Sequence, residues 1–166
     1  VQAQPRRGRQ LATQPKHFIK GARKGDLRTQ FAALCYRIRR GKVQVLVITS
    51  RRTKRWIMPK GWPIAGKTPG QSAAQEAWEE AGVQGKVSEV CVGIFAYGKS
   101  MADKESLPCI AMLYPLEVKS LSKVFPESSE RKRRWVSAKR ASRMVVEPDL
   151  AQLLRNFDPR PKRRRS

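Results

Sequence analysis

One short segment, from Thr68 to Gly82, limits the possible folds most, because both ends of a helix are marked there. Thr68 is predicted as the N-cap, Pro69 takes the first helical position, and Gln71 completes a capping box with Thr68. Gly82 is suited to the left-handed C-cap. A central helix of about thirteen residues is therefore expected, with Val- and Ile-rich, strand-like segments on either side of it.

The predicted helix carries an apolar stripe and, beside it, a group of acidic residues. An apolar stripe is predicted from Ala73, Ala74, Ala77, Trp78 and Ala81. At about 100° per residue, Glu76, Glu79 and Glu80 share a neighbouring arc of roughly 100°. The three carboxylates therefore project to one side, and the small residues let the helix approach a sheet closely.

The acidic residues of this helix are unusual in a basic chain. No Asp or Glu occurs in residues 27–75, and then three glutamates follow within five residues. A solvated helix face with i,i+4 ion pairs is the alternative, but it predicts a Lys or Arg four residues from each acid, whereas Glu76 is followed at that spacing by Glu80. The pattern favours hard oxygen ligands for Mg²⁺, with Mn²⁺ also possible, at Glu76, Glu79 and Glu80.

A formal charge of +23 indicates a polyanionic partner. Nucleic acid, a polyphosphate compound and an acidic membrane surface all remain open on charge alone. The basic residues divide the chain into a flexible N-terminal arm at 1–26, a domain at 27–157 and a basic tail at 158–166. We expect the arm and the tail either to have a generic solubilising role or to bind polyanions such as nucleic acid without specificity. Candidate phosphate contacts within the domain are Arg51, Arg52, Lys54, Arg55, Lys60 and Lys67.

Several classes of site and location are excluded or disfavoured. No apolar run of 18 residues predicts a membrane span, and the start of the chain lacks the apolar segment of a signal peptide, so we expect a cytoplasmic protein. Cys35, Cys91 and Cys109 are far apart and are expected to be free thiols. His17 is the only histidine, which leaves too few imidazoles for a zinc site or a Ser-His-Asp triad.

The remaining elements are predicted from periodicity and turn residues. Strands are expected at 29–39, 42–49, 55–58, 86–97, 106–118 and 133–136, and helices at 138–146 and 148–157. The first two strands form a hairpin, and the density of Gly and Pro at 59–63 predicts irregular structure there. Strands on both sides of a central helix, followed by two helices, indicate an α/β or α+β sandwich.

The sequence GWPIAGK at 61–67, followed after seven residues by QEAWEEAGV at 75–83, resembles the Nudix box. This resemblance implies a Nudix-type α/β/α sandwich with a mixed sheet. It also implies that Glu76, Glu79 and Glu80 are the metal-binding glutamates and that the chain cleaves a pyrophosphate linkage in a phosphorylated small molecule.

Two positions depart from the family pattern, since Lys67 replaces the loop glutamate and Gln75 replaces the arginine of the box. In the family these two groups commonly pair and brace the loop against the helix. Losing both together is more readily tolerated than losing one, which would leave the other charge without its partner, although the loop loses its usual brace. Lys67 is then a candidate contact for substrate phosphate, together with Arg51, Arg55 and Lys60.

Further segments resemble the diphosphoinositol polyphosphate phosphohydrolase branch of the family. They are RWIMPKG at 55–61, VGIF at 92–95 and RKRRWV at 131–136. That branch implies inositol pyrophosphates or dinucleoside polyphosphates as substrates, and a nucleoside diphosphate derivative is a further option. For the catalytic base the resemblance allows either a box glutamate, Glu79 or Glu80, or an acid outside the box, Glu127 or Glu130. Trp62 and Tyr97 are expected either to stack on a nucleobase or to pack in the core.

Two other functions stay open. The changes at Lys67 and Gln75, together with the basic tails, allow a nucleic-acid-binding protein on a degenerate Nudix scaffold. An enzyme that removes pyrophosphate from RNA 5′ ends would combine both features.

Overall fold

The structure is a computed structural model that describes residues 28–100 and 106–162. The predicted arm at 1–26 and the last four residues of the predicted tail lie outside the described residues. The elements are β1 (Arg28–Arg39), β2 (Lys42–Thr49), β3 (Trp56–Ile57), β4 (Lys60–Gly61), α1 (Pro69–Ala81), β5 (Val83–Val87), β6 (Gly93–Ser100), β7 (Ser106–Leu121), β8 (Arg133–Ser137), α2 (Ala138–Met144) and α3 (Pro148–Arg155).

The strands form one mixed sheet in which β1 is central. The order is β3-β2-β1-β7-β5, with β4 paired to β1, β6 to β7 and β8 to β2. β1 and β7 run parallel, whereas the other pairs are antiparallel. The predicted first hairpin is confirmed, with Arg40 and Gly41 both at positive φ in its two-residue turn.

Each face of the sheet is covered by helices, as the predicted sandwich requires. Alternation along the buried strand β1 sends Ala33 and Cys35 to the face covered by α1, and Ala32 and Leu34 to the face covered by α2 and α3. Ala73, Ala77 and Ala81 are fully buried, so α1 approaches the sheet closely. No helix within the described residues has the length and apolar character needed to cross a membrane.

Helix α1 has the caps that were predicted. The Thr68 hydroxyl accepts the Gln71 N–H, the Gln71 side chain accepts the Thr68 N–H, and Gly82 is left-handed at φ 66°. The carboxylate of Glu89, which was not predicted there, also contacts the N-terminus of α1. It accepts the Thr68 hydroxyl at 2.5 Å and the Gly70 N–H at 3.0 Å. A negative charge next to the first N–H groups stabilises the helix N-terminus.

Two predicted elements were wrong. Residues 86–97 form parts of two strands, β5 and β6, which pair one after the other with the same strand, β7. Opposite the break stands Pro115, which has no N–H to donate, and its carbonyl accepts the Ser88 N–H. Residues 59–63 are not wholly irregular, because Lys60 and Gly61 pair with Ala32 and Phe31 of β1.

The ends of α2 and α3 and the free state of the three cysteines are close to those predicted. α2 and α3 each end two residues earlier than predicted, within the ordinary variation of helix ends. The three cysteines are free, with Cys35 and Cys109 buried. Burial raises the pKa of the Cys35 thiol, which keeps this thiol protonated and unreactive.

Candidate catalytic site

A cavity of about 480 Å³ lies beside α1 and receives all three helix glutamates. Glu76, Glu79 and Glu80 line one wall. The loop between β2 and β3 contributes Arg51, Arg52 and Arg55, and the strands contribute Gln30, Lys60, Gly61 and Tyr97. The three carboxylates therefore project to the same side of α1, as predicted.

Glu76 is packed against the glycine of β4. Glu76 is only 5% exposed. A methyl group on Gly61 would overlap the Glu76 carboxylate. The pairing of β4 with β1 fixes Gly61 in this position. The absence of a side chain at Gly61 thus makes room for a buried carboxylate.

Glu80 is buried between two cationic residues. The residue is 8% exposed, and its Oε2 accepts the backbone N–H of Lys60 at 3.3 Å. Its Oε1 lies 3.4 Å from Nη2 of Arg131. Burial raises the pKa of the Glu80 carboxyl to about 8, and Glu76 adds to this rise while Arg131 and Lys60 oppose it.

Glu79 connects α1 to the segment that follows β7. Its carboxylate accepts the amide of Gln75 at 3.4 Å, and its backbone carbonyl accepts the N–H of Glu127 at 3.0 Å. The second contact holds residues 126–130 near the end of α1.

Of the two acids predicted outside the helix, the structure brings Glu127 into the cavity and leaves Glu130 outside its lining. The Glu127 side chain is 13% exposed and lies 3.1 Å from Arg131 and 3.4 Å from Arg51. The Glu130 side chain is 48% exposed and makes a longer contact of 3.8 Å with Arg51.

Arg131 is a site residue that the sequence did not reveal. Its side chain is 6% exposed, and its guanidinium contacts the Thr49 carbonyl at 3.0 Å as well as Glu80 and Glu127. In the sequence it is one of four consecutive basic residues. Only the tertiary contacts distinguish it from its neighbours.

Lys60 and Tyr97 both line the cavity and contact each other. The Lys60 ammonium lies 4.8 Å from the centre of the Tyr97 ring, and the Tyr97 hydroxyl donates to Gln30. Burial lowers the pKa of Lys60, and the charges of Glu80 and Glu147 oppose that fall. One face of the Tyr97 ring is therefore covered by a cation, while Trp62 lines the cavity nearby.

The known proteins that this chain resembles agree with this architecture. A model of the NUDIX domain matches residues 28–157. The chain belongs to the Nudix family.

Individual Nudix relatives are moderately similar to this chain. Nudix hydrolase 13, mitochondrial, of Arabidopsis thaliana is 33% identical over 105 residues, which cover 60% of this chain and 52% of that protein. Human diphosphoinositol polyphosphate phosphohydrolase 3-beta is 32% identical over 116 residues, covering 69% of this chain and 66% of that protein. The chain thus spans between about half and two thirds of the length of these relatives.

Solved structures support the Nudix fold. A C. elegans Ap4A hydrolase binary complex superposes with a TM-score of 0.59 at 23% identity, covering 76% of this chain and 92% of that chain. The E. coli dihydroneopterin triphosphate pyrophosphohydrolase superposes with the same TM-score at 18% identity, covering 78% and 93%. The predicted fold class is confirmed.

The two positions at which this Nudix box departs from the family pattern lie outside the cavity that the three glutamates line. Lys67 and Gln75 line a second cavity on the other side of α1, which Trp78 also lines. The structure does not bring Lys67 together with the three glutamates. Its predicted contact with substrate phosphate stays a prediction.

Proposed function

We propose that this Nudix domain hydrolyses a pyrophosphate linkage in a phosphorylated small molecule, using a divalent cation bound by Glu76, Glu79 and Glu80. The observation that carries the proposal is the cavity wall of three carboxylates, two of them buried, opposite a loop with three arginines. Arg131 already compensates part of the charge at Glu80, and a divalent cation would add to this compensation, since burying like charges side by side is costly.

The three glutamates suit Mg²⁺, with Mn²⁺ as the alternative, because carboxylate oxygens are hard ligands. Within residues 28–100 and 106–162, no three His, Cys, Asp or Glu side chains are arranged closely enough to enclose a metal by themselves. Mg²⁺ usually keeps several waters and binds through few protein carboxylates together with substrate phosphate oxygens. A bound divalent cation would neutralise phosphate charge and acidify a coordinated water.

The other cavity residues supply binding and proton transfer. Arg51, Arg52 and Arg55 are exposed on one loop and bind the outer phosphates of the substrate, and Lys60 binds a phosphate deeper in the cavity. Glu127 is the acid best placed to accept the proton of the attacking water, since Arg131 and Arg51 hold its carboxylate at the cavity. Glu79 is the alternative base within the box.

Among the candidate substrates, we favour an inositol pyrophosphate over a dinucleoside polyphosphate or a nucleoside diphosphate derivative. Lys60 covers one face of the Tyr97 ring and Gln30 accepts its hydroxyl, which leaves Trp62 as the aromatic residue for stacking a base. A cavity rich in arginines suits a compact, densely phosphorylated molecule. The name of the human relative supports this choice, and the Ap4A hydrolase structure supports the second option.

Nucleic-acid contact and cellular location stay predictions. The basic segments that motivated nucleic-acid binding or RNA 5′-end processing lie largely outside the described residues. Two Arabidopsis relatives are named as mitochondrial, so a mitochondrial location is the alternative to the expected cytoplasmic one.

The test is a substrate screen of the full chain with Mg²⁺ or Mn²⁺, comparing wild type with Glu80→Gln. The screen includes inositol pyrophosphates, dinucleoside polyphosphates and nucleoside diphosphate derivatives. We expect turnover of at least one compound and a loss of about 100-fold or more in Glu80→Gln, because a metal ligand is removed. Since burial already favours the neutral carboxyl, this variant should fold normally.

Glu117, whose side chain is 47% exposed and pairs with Lys119 on β7, provides the matched control Glu117→Gln. Absence of turnover on every compound with either metal would refute the proposed hydrolysis. Full activity in Glu80→Gln would refute the metal assignment instead.

A further inference from the structure

The second cavity, on the side of α1 away from the glutamates, has an apolar floor. It is a shallow depression of about 570 Å³ that is open to solvent. Val83 and Leu116, which are 2% and 1% exposed, lie at its base together with half-buried Val87. The indole of half-buried Trp78 lies along one side.

Three glutamines surround this floor, and each has one end of its amide already occupied. The Gln71 side-chain oxygen accepts the Thr68 N–H, and the Gln84 oxygen accepts the Ser120 hydroxyl. The Gln75 nitrogen donates to Glu79. Among residues 28–100 and 106–162, no further partner contacts the NH₂ groups of Gln71 and Gln84 or the carbonyl oxygen of Gln75, so these can serve a ligand as two donor groups and one acceptor.

The charge of this cavity is positive. Lys67 is exposed at its edge, and no Asp or Glu lines it among the described residues. Lys67 and Gln75 are also the two departures from the family pattern. A glutamate and an arginine at these positions would satisfy each other, whereas a lysine and a glutamine leave a cation and an amide available.

We propose that this second cavity is a nucleotide-binding site, separate from the hydrolytic cavity. A nucleobase fits the apolar floor beside Trp78, where its edge meets the amide donors and acceptor, and its phosphate pairs with Lys67. The ligand class is therefore a nucleotide whose base offers acceptors to Gln71 and Gln84 and a donor to Gln75, as adenine and uracil both do. The ligand is either a free mononucleotide or one nucleotide of single-stranded RNA.

The test is ¹H–¹⁵N NMR of the full chain without divalent metal, titrated with AMP, adenosine, inorganic phosphate and a short oligouridylate. The indole resonance of Trp78 is identified by its loss in Trp78→Phe. We expect saturable shifts of this indole and of the glutamine side-chain amides. Lys67→Glu should weaken AMP binding about tenfold and leave adenosine binding almost unchanged, because it removes only the phosphate contact.

Arg52→Gln is the matched control, since it removes one exposed cation from the hydrolytic cavity and should leave these shifts intact. The site is a free-nucleotide site if AMP binds as tightly as the oligouridylate, and an RNA site if the oligouridylate binds more tightly and depends on Lys67. The proposal is overturned if AMP shifts only the Trp62 indole, if phosphate alone binds as well as AMP, or if Lys67→Glu has no effect. Because no hydrolysis is measured, this result is independent of the proposed catalytic function.

Discussion

At the scale of single residues, burial is what distinguishes Glu80 from an ordinary helix carboxylate. Burial raises its pKa to about 8 from a usual 4.5. The folded chain therefore binds a proton that the unfolded chain releases between these two pH values. In the absence of metal, the free energy of unfolding should consequently fall as the pH rises through this window.

This pH dependence is measured by thermal unfolding in a chelator from about pH 5 to about pH 8, a window set by the two pKa values of Glu80. The melting temperature of the wild type should fall more steeply than that of Glu80→Gln. Adding Mg²⁺ at the upper end should raise the wild-type melting temperature, because the proposed cation site uses the ionised carboxylate. Parallel curves for the two proteins would contradict the elevated pKa.

A second residue-scale prediction separates the two acids of the segment after β7. Glu127 and Glu130 both contact Arg51, but Glu127 alone of the two lines the cavity and contacts Arg131. Glu127→Gln should reduce kcat about 100-fold, as for loss of a general base, and Glu130→Gln should reduce it less than about threefold. Equal losses would indicate that their common contact with Arg51 matters more than proton transfer.

At the scale of secondary-structure elements, α1 shows what sequence reasoning captures well. Its caps, its alanine stripe and the common direction of its glutamates depend on residues within one helix, so local spacing predicted them correctly. The division of residues 86–97 into two strands depends on a distant strand with Pro115. The positions of Glu127 and Arg131 likewise depend on long-range contacts, which no local pattern encodes.

The carboxylate of Glu89 provides a prediction for the same helix. It accepts two hydrogen bonds at the α1 N-terminus, where the helix itself has no acid in its first turn. Glu89→Gln should lower stability by about 0.5–1 kcal/mol, which corresponds to a melting temperature lower by about 1–4 °C. Glu117→Gln on β7 is the control, and an equal shift in both variants would argue against a specific role at the helix end.

At the scale of the whole molecule, the net charge of +23 affects how fast an anionic substrate arrives. The exposed arginines of the β2–β3 loop place part of this charge at the cavity entrance. Raising the salt concentration from about 0.05 M to about 0.3 M should lower kcat/KM several-fold with little change in kcat, because screening weakens attraction at a distance. Initial-rate kinetics at both salt concentrations provide the measurement, and a fall in kcat alone would contradict electrostatic attraction of the substrate.

The contact between Gly61 and Glu76 has a consequence for how hydrolysis could be lost in relatives of this chain. A single exchange of Gly61 for alanine would force the buried carboxylate out of its place while leaving every acidic residue of the box unchanged. Surveys that count only glutamates would classify such a protein as active. Because Glu76 is one of the proposed metal ligands, the space beside it is as informative a marker of hydrolysis as the glutamates themselves.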